Sequence, residues 1–140
     1  MSVEENKAAV RRVWEEVMNK GDLAVADKLM ATNYIFHAPG GVEANGPDGF
    51  KQFVTIYRTA FPDIHCTIDD MFGEGEKVVS RFTLRGTHNG DLMGIAPTGK
   101  TTAIAGIVIS RFAGGKEVEA WGSYDSLAMY QQLGVTPPNQ

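Results

Sequence analysis

The sequence predicts an α+β fold in which helices from the first half of the chain cover a strongly curved, mainly antiparallel sheet from the second half. Three extended segments carry this prediction: residues 78–88 alternate apolar with polar side chains, residues 101–112 are apolar on both faces, and residues 117–125 return after a glycine turn. Alternation is typical of a half-buried strand, and a segment apolar on both faces is typical of a central strand covered on both sides. Three helices on one bent sheet can enclose a cone-shaped hollow, where a functional site is expected.

Each element has a local signal in the sequence. Ser2 and Glu5 form a capping box that begins the first helix, and Asp22 is placed to cap the second. Pro47 suits the first position of a third helix, because its missing N–H needs no partner there. The predicted helices are 2–21, 22–30, 47–61 and 126–133, and the predicted strands are 34–37, 42–45, 64–69, 78–88, 101–112 and 117–125, with a turn at 31–33.

Length and charge restrict what the protein can bind. The 140 residues suffice for a single domain, 1–140, and a net charge of -4 without a basic cluster argues against nucleic acid and anionic membranes as partners. The single cysteine, Cys66, excludes an intramolecular disulfide and a cysteine-rich zinc site. The N-terminus lacks the apolar core of a signal peptide, and no apolar run is long enough to span a membrane. We therefore expect a cytoplasmic protein whose partner is a small uncharged molecule or another protein.

Residues 94–101 match the phosphate-binding P-loop pattern letter for letter. The context contradicts that interpretation, because the β-branched residues that follow predict a strand, whereas a P-loop begins a helix whose N-terminal amides hold phosphate. Pro97 and Gly99 are instead typical turn residues. We interpret the segment as a loop between two strands and expect no nucleotide there.

Three side chains are candidates for acid–base catalysis. His37 and His88 each lie at the end of a predicted strand, where they could reach the mouth of the hollow, or could alternatively be held by turn backbone. Asp125 ends an apolar segment that would raise its pKa, as a general base requires. Alternatively, Asp125 caps the helix that begins at Ser126.

Other side chains are candidates for contacts with a bound molecule. The aromatic candidates are Trp14, Tyr34, Tyr57 and Trp121. Large aromatic side chains are also common in an ordinary core, so these residues could serve either purpose. Arg81 would hold a carbonyl group or an anion if its face lined the hollow; otherwise it faces solvent beside Glu117 and Glu119.

Several short motifs together resemble one family. The segments 86–90 (Gly-Thr-His-Asn-Gly), 94–100 (Gly-Ile-Ala-Pro-Thr-Gly-Lys) and 132–134 (Gln-Leu-Gly), with Trp121 and Asp125, resemble the SnoaL-like polyketide cyclases, also called predicted ester cyclases, of the nuclear transport factor 2-like superfamily. The resemblance covers essentially the whole chain. It implies a cone-shaped α+β barrel with an apolar pocket, no metal or cofactor, and a homodimer formed through the outer face of the sheet.

The resemblance also implies where the chain departs from the family. In the characterised cyclases, an aspartate on the last long strand acts as the acid/base of an intramolecular aldol closure, and its position matches Gly122 here. The histidine on the preceding strand of those cyclases matches Val108. If residues 118, 120 and 122 form the pocket face, that face has no titratable group.

We therefore expect a cofactor-free cyclase, isomerase or lyase of a small apolar carbonyl compound, and not an anthracycline aldol cyclase. His37, His88 and Asp125 are its predicted catalytic residues, while Trp14, Tyr34, Tyr57, Arg81, Val108, Trp121 and Gly122 are the predicted substrate contacts. The alternative is a non-catalytic binding protein for an apolar metabolite, which the glycine at 122 favours.

Overall fold

The computed structural model describes residues 2–137, which form four α-helices packed on a six-stranded sheet. The helices are α1 (Val3–Arg12), α2 (Ala24–Leu29), α3 (Gly46–Ala60) and α4 (Ser126–Leu133), and α1 continues directly into a π-helical segment, Val13–Asn19. The strands are β1 (Met30–His37), β2 (Glu43–Asn45), β3 (His65–Glu74), β4 (Lys77–Thr87), β5 (Thr101–Ala113) and β6 (Lys116–Tyr124).

The sheet has the order β2-β1-β6-β5-β4-β3, and its neighbouring strands are antiparallel except for β1 and β6. The predicted α+β fold with a curved, mainly antiparallel sheet is confirmed, although the sheet stays open instead of closing into a barrel. Strand β5 is central, as predicted, but the prediction that both of its faces are covered is wrong for the single chain. The helices cover one face only, and Ile107 and Ile109 on the other face are 46% and 37% exposed.

The helix signals are confirmed at two of three starts. The Ser2 hydroxyl accepts a hydrogen bond from the Glu5 N–H at 3.1 Å, and the Glu5 carboxylate accepts one from the Ser2 N–H at 3.2 Å, which completes the capping box. A proline lies in the first turn of α3. Asp22 does not cap α2, because that helix begins two residues later, with Leu23 at the capping position and no side-chain hydrogen bond.

Strand β1 is longer than the sequence pattern indicates. The predicted turn at 31–33 is wrong, since these residues lie within β1. The residues predicted as a turn nevertheless coincide with an interruption in the pairing of β1 with β6. Met30 pairs with Glu117, and the next pair is Ile35 with Glu119, so the strand between them departs from the ladder.

Strand β6 contains a β-bulge at Val118. On β5, Arg111 pairs with Glu119, but the next residue, Phe112, pairs with Glu117, which leaves Val118 as an extra residue. Because side chains alternate between the two faces of a strand, one extra residue reverses the face of every side chain beyond it. Glu117 therefore points to the helix-covered face, where simple alternation would place Val118.

Two amide side chains cap unpaired strand backbone. Asn19 donates to the Cys66 carbonyl oxygen at 3.0 Å and accepts from the Cys66 N–H at 2.6 Å, on the edge strand β3. Gln132 makes the same pair of hydrogen bonds with the backbone of Ala103, at 3.0 and 2.8 Å. Each amide thus acts as one residue of an additional strand and protects a short stretch of exposed edge.

None of the helices in residues 2–137 has both the length and the apolar character needed to cross a bilayer.

We predict that Asn19→Ala lowers the free energy of unfolding by about 1–3 kcal/mol, because it leaves a buried backbone N–H and C=O without partners. Urea denaturation followed by circular dichroism measures the change. Thr55→Ala is the control, since Thr55 bonds only within its own exposed helix turn and should change stability by less than about 0.5 kcal/mol. Equal effects of the two substitutions would show that the edge needs no cap.

Candidate active site

An apolar chamber lies between the helices and the inner face of the sheet. Its walls come from α1, the π-helical segment, α3 and strands β1, β4, β5 and β6. The lining residues are Val10, Val13, Trp14, Met18, Tyr34, Phe36, Phe50, Phe53, Tyr57, Phe82, Leu84, Ile104, Val108, Ser110, Glu117 and Tyr124. Most of these side chains are hydrocarbon, so a charged group inside is poorly solvated.

The chamber is narrow. The space open to the centre of a water molecule is about 40 Å³, whereas one water needs roughly 10–15 Å³ measured in this way. The chamber therefore has room for a few waters as it stands. A larger molecule would require the flanking aromatic side chains to move.

Glu117 is the one carboxylate that lines this chamber among the described residues. The bulge at Val118 turns it inward, and only 4% of its surface is exposed. The hydroxyl groups of Tyr34 on β1 and Ser110 on β5 form hydrogen bonds with its carboxyl group. These three residues form a polar cluster at one end of an otherwise apolar cavity.

The environment of Glu117 favours its protonated form. Burial raises the pKa of Glu117 to about 8, and the hydrogen bonds from Tyr34 and Ser110 act in the opposite direction. Burial, together with the nearby Glu117 charge, also holds the pKa of Tyr34 well above its usual value. A carboxyl group whose pKa lies near neutrality can both accept and return a proton at physiological pH.

Gly122 faces the chamber side of β6, and an aromatic ring occupies the space beside it. A Cβ atom at position 122 would lie 2.8 Å from Cζ of Phe36, closer than two carbon atoms can approach without strain. A larger side chain at 122 therefore requires Phe36 to move. The glycine and the phenylalanine ring are therefore complementary in shape, and this position leaves no room for a carboxylate while Phe36 stays in place.

Four of the predicted substrate contacts line the chamber: Trp14, Tyr34, Tyr57 and Val108. Trp121 does not, since it lies on the outer face of the sheet and is 37% exposed. Arg81 also points outward, where its guanidinium group lies 3.9 Å from the Asp69 carboxylate.

His37 belongs to a polar network on the outer face, away from the chamber. Its Nε2 lies 2.7 Å from the Glu119 carboxylate, which also accepts a hydrogen bond from Arg111 at 3.0 Å. The imidazole ring stacks on Trp121 with 5.6 Å between the ring centroids.

His88 is completely buried but does not line the chamber. Its Nδ1 accepts a hydrogen bond from the Thr98 N–H at 3.2 Å, within the loop that precedes β5. This is the alternative in which turn backbone holds the histidine.

Asp125 caps α4, as its alternative prediction states. Its carboxylate accepts a hydrogen bond from the Ala128 N–H at 3.0 Å. The structure therefore brings none of His37, His88 and Asp125 into the chamber, and their catalytic roles stay predictions.

The sequence analysis missed Glu117 and placed it in solvent beside Arg81, which is wrong. The prediction that residues 118, 120 and 122 share the pocket face is wrong for Val118, because the bulge gives the inward position to Glu117. Alternation along the sequence cannot reveal a bulge. One signal was available: Ser80 and Ser110 occupy inward positions of two neighbouring strands. Polar residues inside a predicted core indicate that another polar group lies close to them.

No group of three or more potential metal-binding side chains occurs within residues 2–137.

Known proteins are similar to this chain in sequence and in structure. The family model described as SnoaL-like polyketide cyclase matches residues 8–133. The chain is 32% identical to the aklanonic acid methyl ester cyclase DnrD of Streptomyces peucetius over 134 residues, which cover 92% of this chain and 90% of DnrD.

Solved structures give the same result. Wild-type IdmH of Streptomyces antibioticus superimposes with a TM-score of 0.81 at 30% identity, over 92% of this chain and 98% of IdmH. A SnoaL-like protein of Jannaschia sp. CCS1 has a TM-score of 0.88 over 96% of this chain and 94% of its own, but at 20% identity it supports the fold alone.

We predict that stability falls as pH rises from about 4.5, the ordinary pKa of a glutamate, to about 8, the pKa in the folded chain. In this window the folded state holds a proton that the unfolded state has lost, so each pH unit removes up to about 1.4 kcal/mol. Glu117→Gln should abolish this part of the slope and should be more stable than the wild type at pH 8. Urea denaturation across this pH range measures both effects.

The matched control is Glu119→Gln, which changes the same residue type two positions along the same strand, on the outer face. It should retain the wild-type slope between pH 4.5 and 8. Parallel pH profiles for the wild type and Glu117→Gln would show that Glu117 is not buried in its protonated form.

Proposed function

The chain belongs to the SnoaL-like polyketide cyclase family, and from this premise we propose that it is a cofactor-free enzyme that transfers protons on a small apolar carbonyl compound. The reaction is of the cyclase or isomerase type, and Glu117 is its general base. The single observation that carries the proposal is a carboxyl group with a pKa of about 8 in an apolar chamber.

The proposed reaction begins with a proton next to the carbonyl group. Ionised Glu117 accepts this proton, and the electron pair of the C–H bond moves toward the carbonyl oxygen to give an enolate. At pH 7, one unit below its pKa, about a tenth of Glu117 is ionised. Because the chamber excludes water, that fraction is a stronger base than an exposed glutamate.

Tyr34 is suited to stabilise the enolate. Its hydroxyl donates to the ionised Glu117 carboxylate, and once Glu117 holds the abstracted proton that carboxylate no longer needs the donor, so the Tyr34 hydrogen can turn to the enolate oxygen beside it. Hydrogen-bond donors aimed at developing negative charge are among the largest contributions to catalysis. As in a cyclase, the enolate carbon can then attack a second carbonyl group of the same molecule, whose C=O electron pair moves to its oxygen and takes the proton back from Glu117. As in an isomerase, a different carbon of the enolate system can instead take that proton.

This assignment moves the base along β6 from the position that the family resemblance indicated. Phe36 occupies the space beside Gly122. The bulge at Val118 turns the Glu117 carboxylate to the same inner face, on the N-terminal side of Ala120 along the strand. His37, His88 and Asp125 are weaker candidates, because each is engaged outside the chamber.

We predict that Glu117→Gln lowers the rate of solvent deuterium exchange next to the carbonyl of 2-tetralone, a flat apolar ketone, by about 100-fold or more. The wild-type rate should rise with pH and reach a plateau above about pH 8, because the ionised form of Glu117 is the base. Nuclear magnetic resonance spectroscopy follows the loss of the proton signal.

Glu119→Gln is again the matched control and should keep the wild-type exchange rate. Equal rates for the wild type and Glu117→Gln would contradict the assignment of the base. Binding of 2-tetralone without any exchange would favour the alternative function, a non-catalytic binding protein for an apolar metabolite.

We also propose that the chain forms a homodimer through the outer face of the sheet. Ile107, Ile109 and Trp121 form an exposed apolar surface on the neighbouring strands β5 and β6, and Ile109 pairs directly with Trp121. Covering such a surface removes apolar area from water. The cytoplasmic location stays a prediction from the sequence.

We predict that Ile107→Glu converts a dimer into a monomer, because dimerisation would bury an unpaired carboxylate. Analytical ultracentrifugation measures the mass. Val42→Glu, which places the same charge at a residue that is 60% exposed outside this surface, should leave the mass unchanged. A wild-type mass equal to that of one chain would exclude the dimer.

A further inference from the structure

The chamber has a second pair of polar groups, the hydroxyls of two tyrosine side chains. Tyr57 on α3 and Tyr124 on β6 both line it, with their rings nearly perpendicular and their centroids 6.4 Å apart. Their hydroxyl groups are hydrogen-bonded to each other. The proposed function uses neither hydroxyl.

This pair lies at the end of the chamber remote from Glu117. On β5, the partner of Glu117 is Phe112 and the partner of Tyr124 is Gly106. A strand advances about 3.3 Å per residue, so the backbone positions of the two polar ends are about 20 Å apart. The side chains reach inward from both ends and shorten the distance that a bound molecule must span.

An aromatic wall connects the two ends. Ring centroids follow one another from Tyr34 to Phe50 at 6.1 Å, from Phe50 to Phe53 at 6.2 Å and from Phe53 to Tyr57 at 5.0 Å. Between the polar ends a bound molecule meets chiefly apolar side chains. The chamber is therefore a narrow apolar cavity with hydrogen-bonding groups toward each end, and an elongated molecule fills it when the flanking aromatic side chains move.

Two neighbouring hydroxyl groups that share one hydrogen bond leave one hydrogen for a ligand, whichever of the two donates. When Tyr124 donates to the oxygen of Tyr57, the hydrogen of the Tyr57 hydroxyl is the one available. A hydroxyl group has one donor hydrogen and two acceptor lone pairs, so Tyr57 can accept from Tyr124 and still donate to an oxygen of a bound molecule. Accepting a hydrogen bond also strengthens the donor, because consecutive hydrogen bonds polarise one another.

We propose that Tyr57, positioned by Tyr124, determines specificity by selecting elongated apolar molecules with an oxygen acceptor at the end remote from the carbonyl group. Calling this molecule a substrate rests on the proposed function, but the binding preference does not. The narrowness of the cavity favours an unbranched or flat molecule over a bulky one.

Isosteric pairs of ligands test this preference. Each pair consists of an unbranched 2-alkanone and its analogue with an ether oxygen in place of one methylene near the far end, and the chain length is varied through the series. Binding is followed by the fluorescence of Trp14, which lines the chamber, in a Trp121→Phe background. The chain has two tryptophans, so this background leaves a single reporter.

The measured quantity is the ratio of the two dissociation constants in each pair, compared between variants. At one chain length, Tyr57→Phe should reduce the advantage of the ether by about 3- to 10-fold, the contribution of one hydrogen bond. Tyr124→Phe should act in the same direction with a smaller effect. Tyr130→Phe is the control, since it removes the hydroxyl of a neighbouring tyrosine that does not line the chamber, and it should leave the ratio unchanged.

Two outcomes overturn the inference: ratios that are the same in the wild type and Tyr57→Phe at every chain length, or no binding by either member of any pair. Unchanged far-ultraviolet circular dichroism of the Tyr57→Phe variant excludes misfolding as the cause of a lost preference. A Tyr57-dependent preference without deuterium exchange next to the carbonyl would support this inference and reject the proposed function, so the two can fail separately.

Discussion

The extra residue at Val118 turns Glu117 toward the helices, where its carboxyl group meets the hydroxyls of Tyr34 and Ser110 inside an apolar chamber. An ionised carboxylate in such surroundings is unfavourable, and the protein meets this constraint by raising the pKa and by supplying two hydrogen bonds. Most of the other side chains that line the chamber are apolar. The aromatic side chains of α3 and β1 surround the carboxyl group with apolar surface, which disfavours its ionised form.

The same strand shows why the carboxylate sits where it does. At Gly122 the ring of Phe36 fills the space that a side chain would need. At Glu117 the bulge creates an inward position that regular alternation would have given to Val118. The proposed function therefore needs no carboxylate at position 122, because a curved sheet presents many inward positions and the proposed chemistry needs only one base beside one donor.

The two faces of the sheet have different physical roles. The inner face carries the chamber, with its polar groups confined to the two ends. The outer face combines the exposed isoleucines of β5 with the network of His37, Glu119 and Arg111. Because β5 is apolar on both faces, its outer side chains remain in water unless another molecule covers them, and covering them would remove apolar area from water.

The amino-acid sequence by itself determined the elements whose signals are local. The capping box at Ser2, the proline that begins α3 and the alternation in β4 each depend on neighbouring residues, and each predicted its element correctly. Three of the predicted aromatic contacts, Trp14, Tyr34 and Tyr57, line the chamber. Val108, which only the family resemblance indicated, lines it as well. Only the tertiary structure decided which ionisable group enters the chamber. The inward turn of Glu117 depends on how β6 pairs with both β5 and β1, strands that are distant in sequence, and periodicity along one strand carries no information about an extra residue in that pairing.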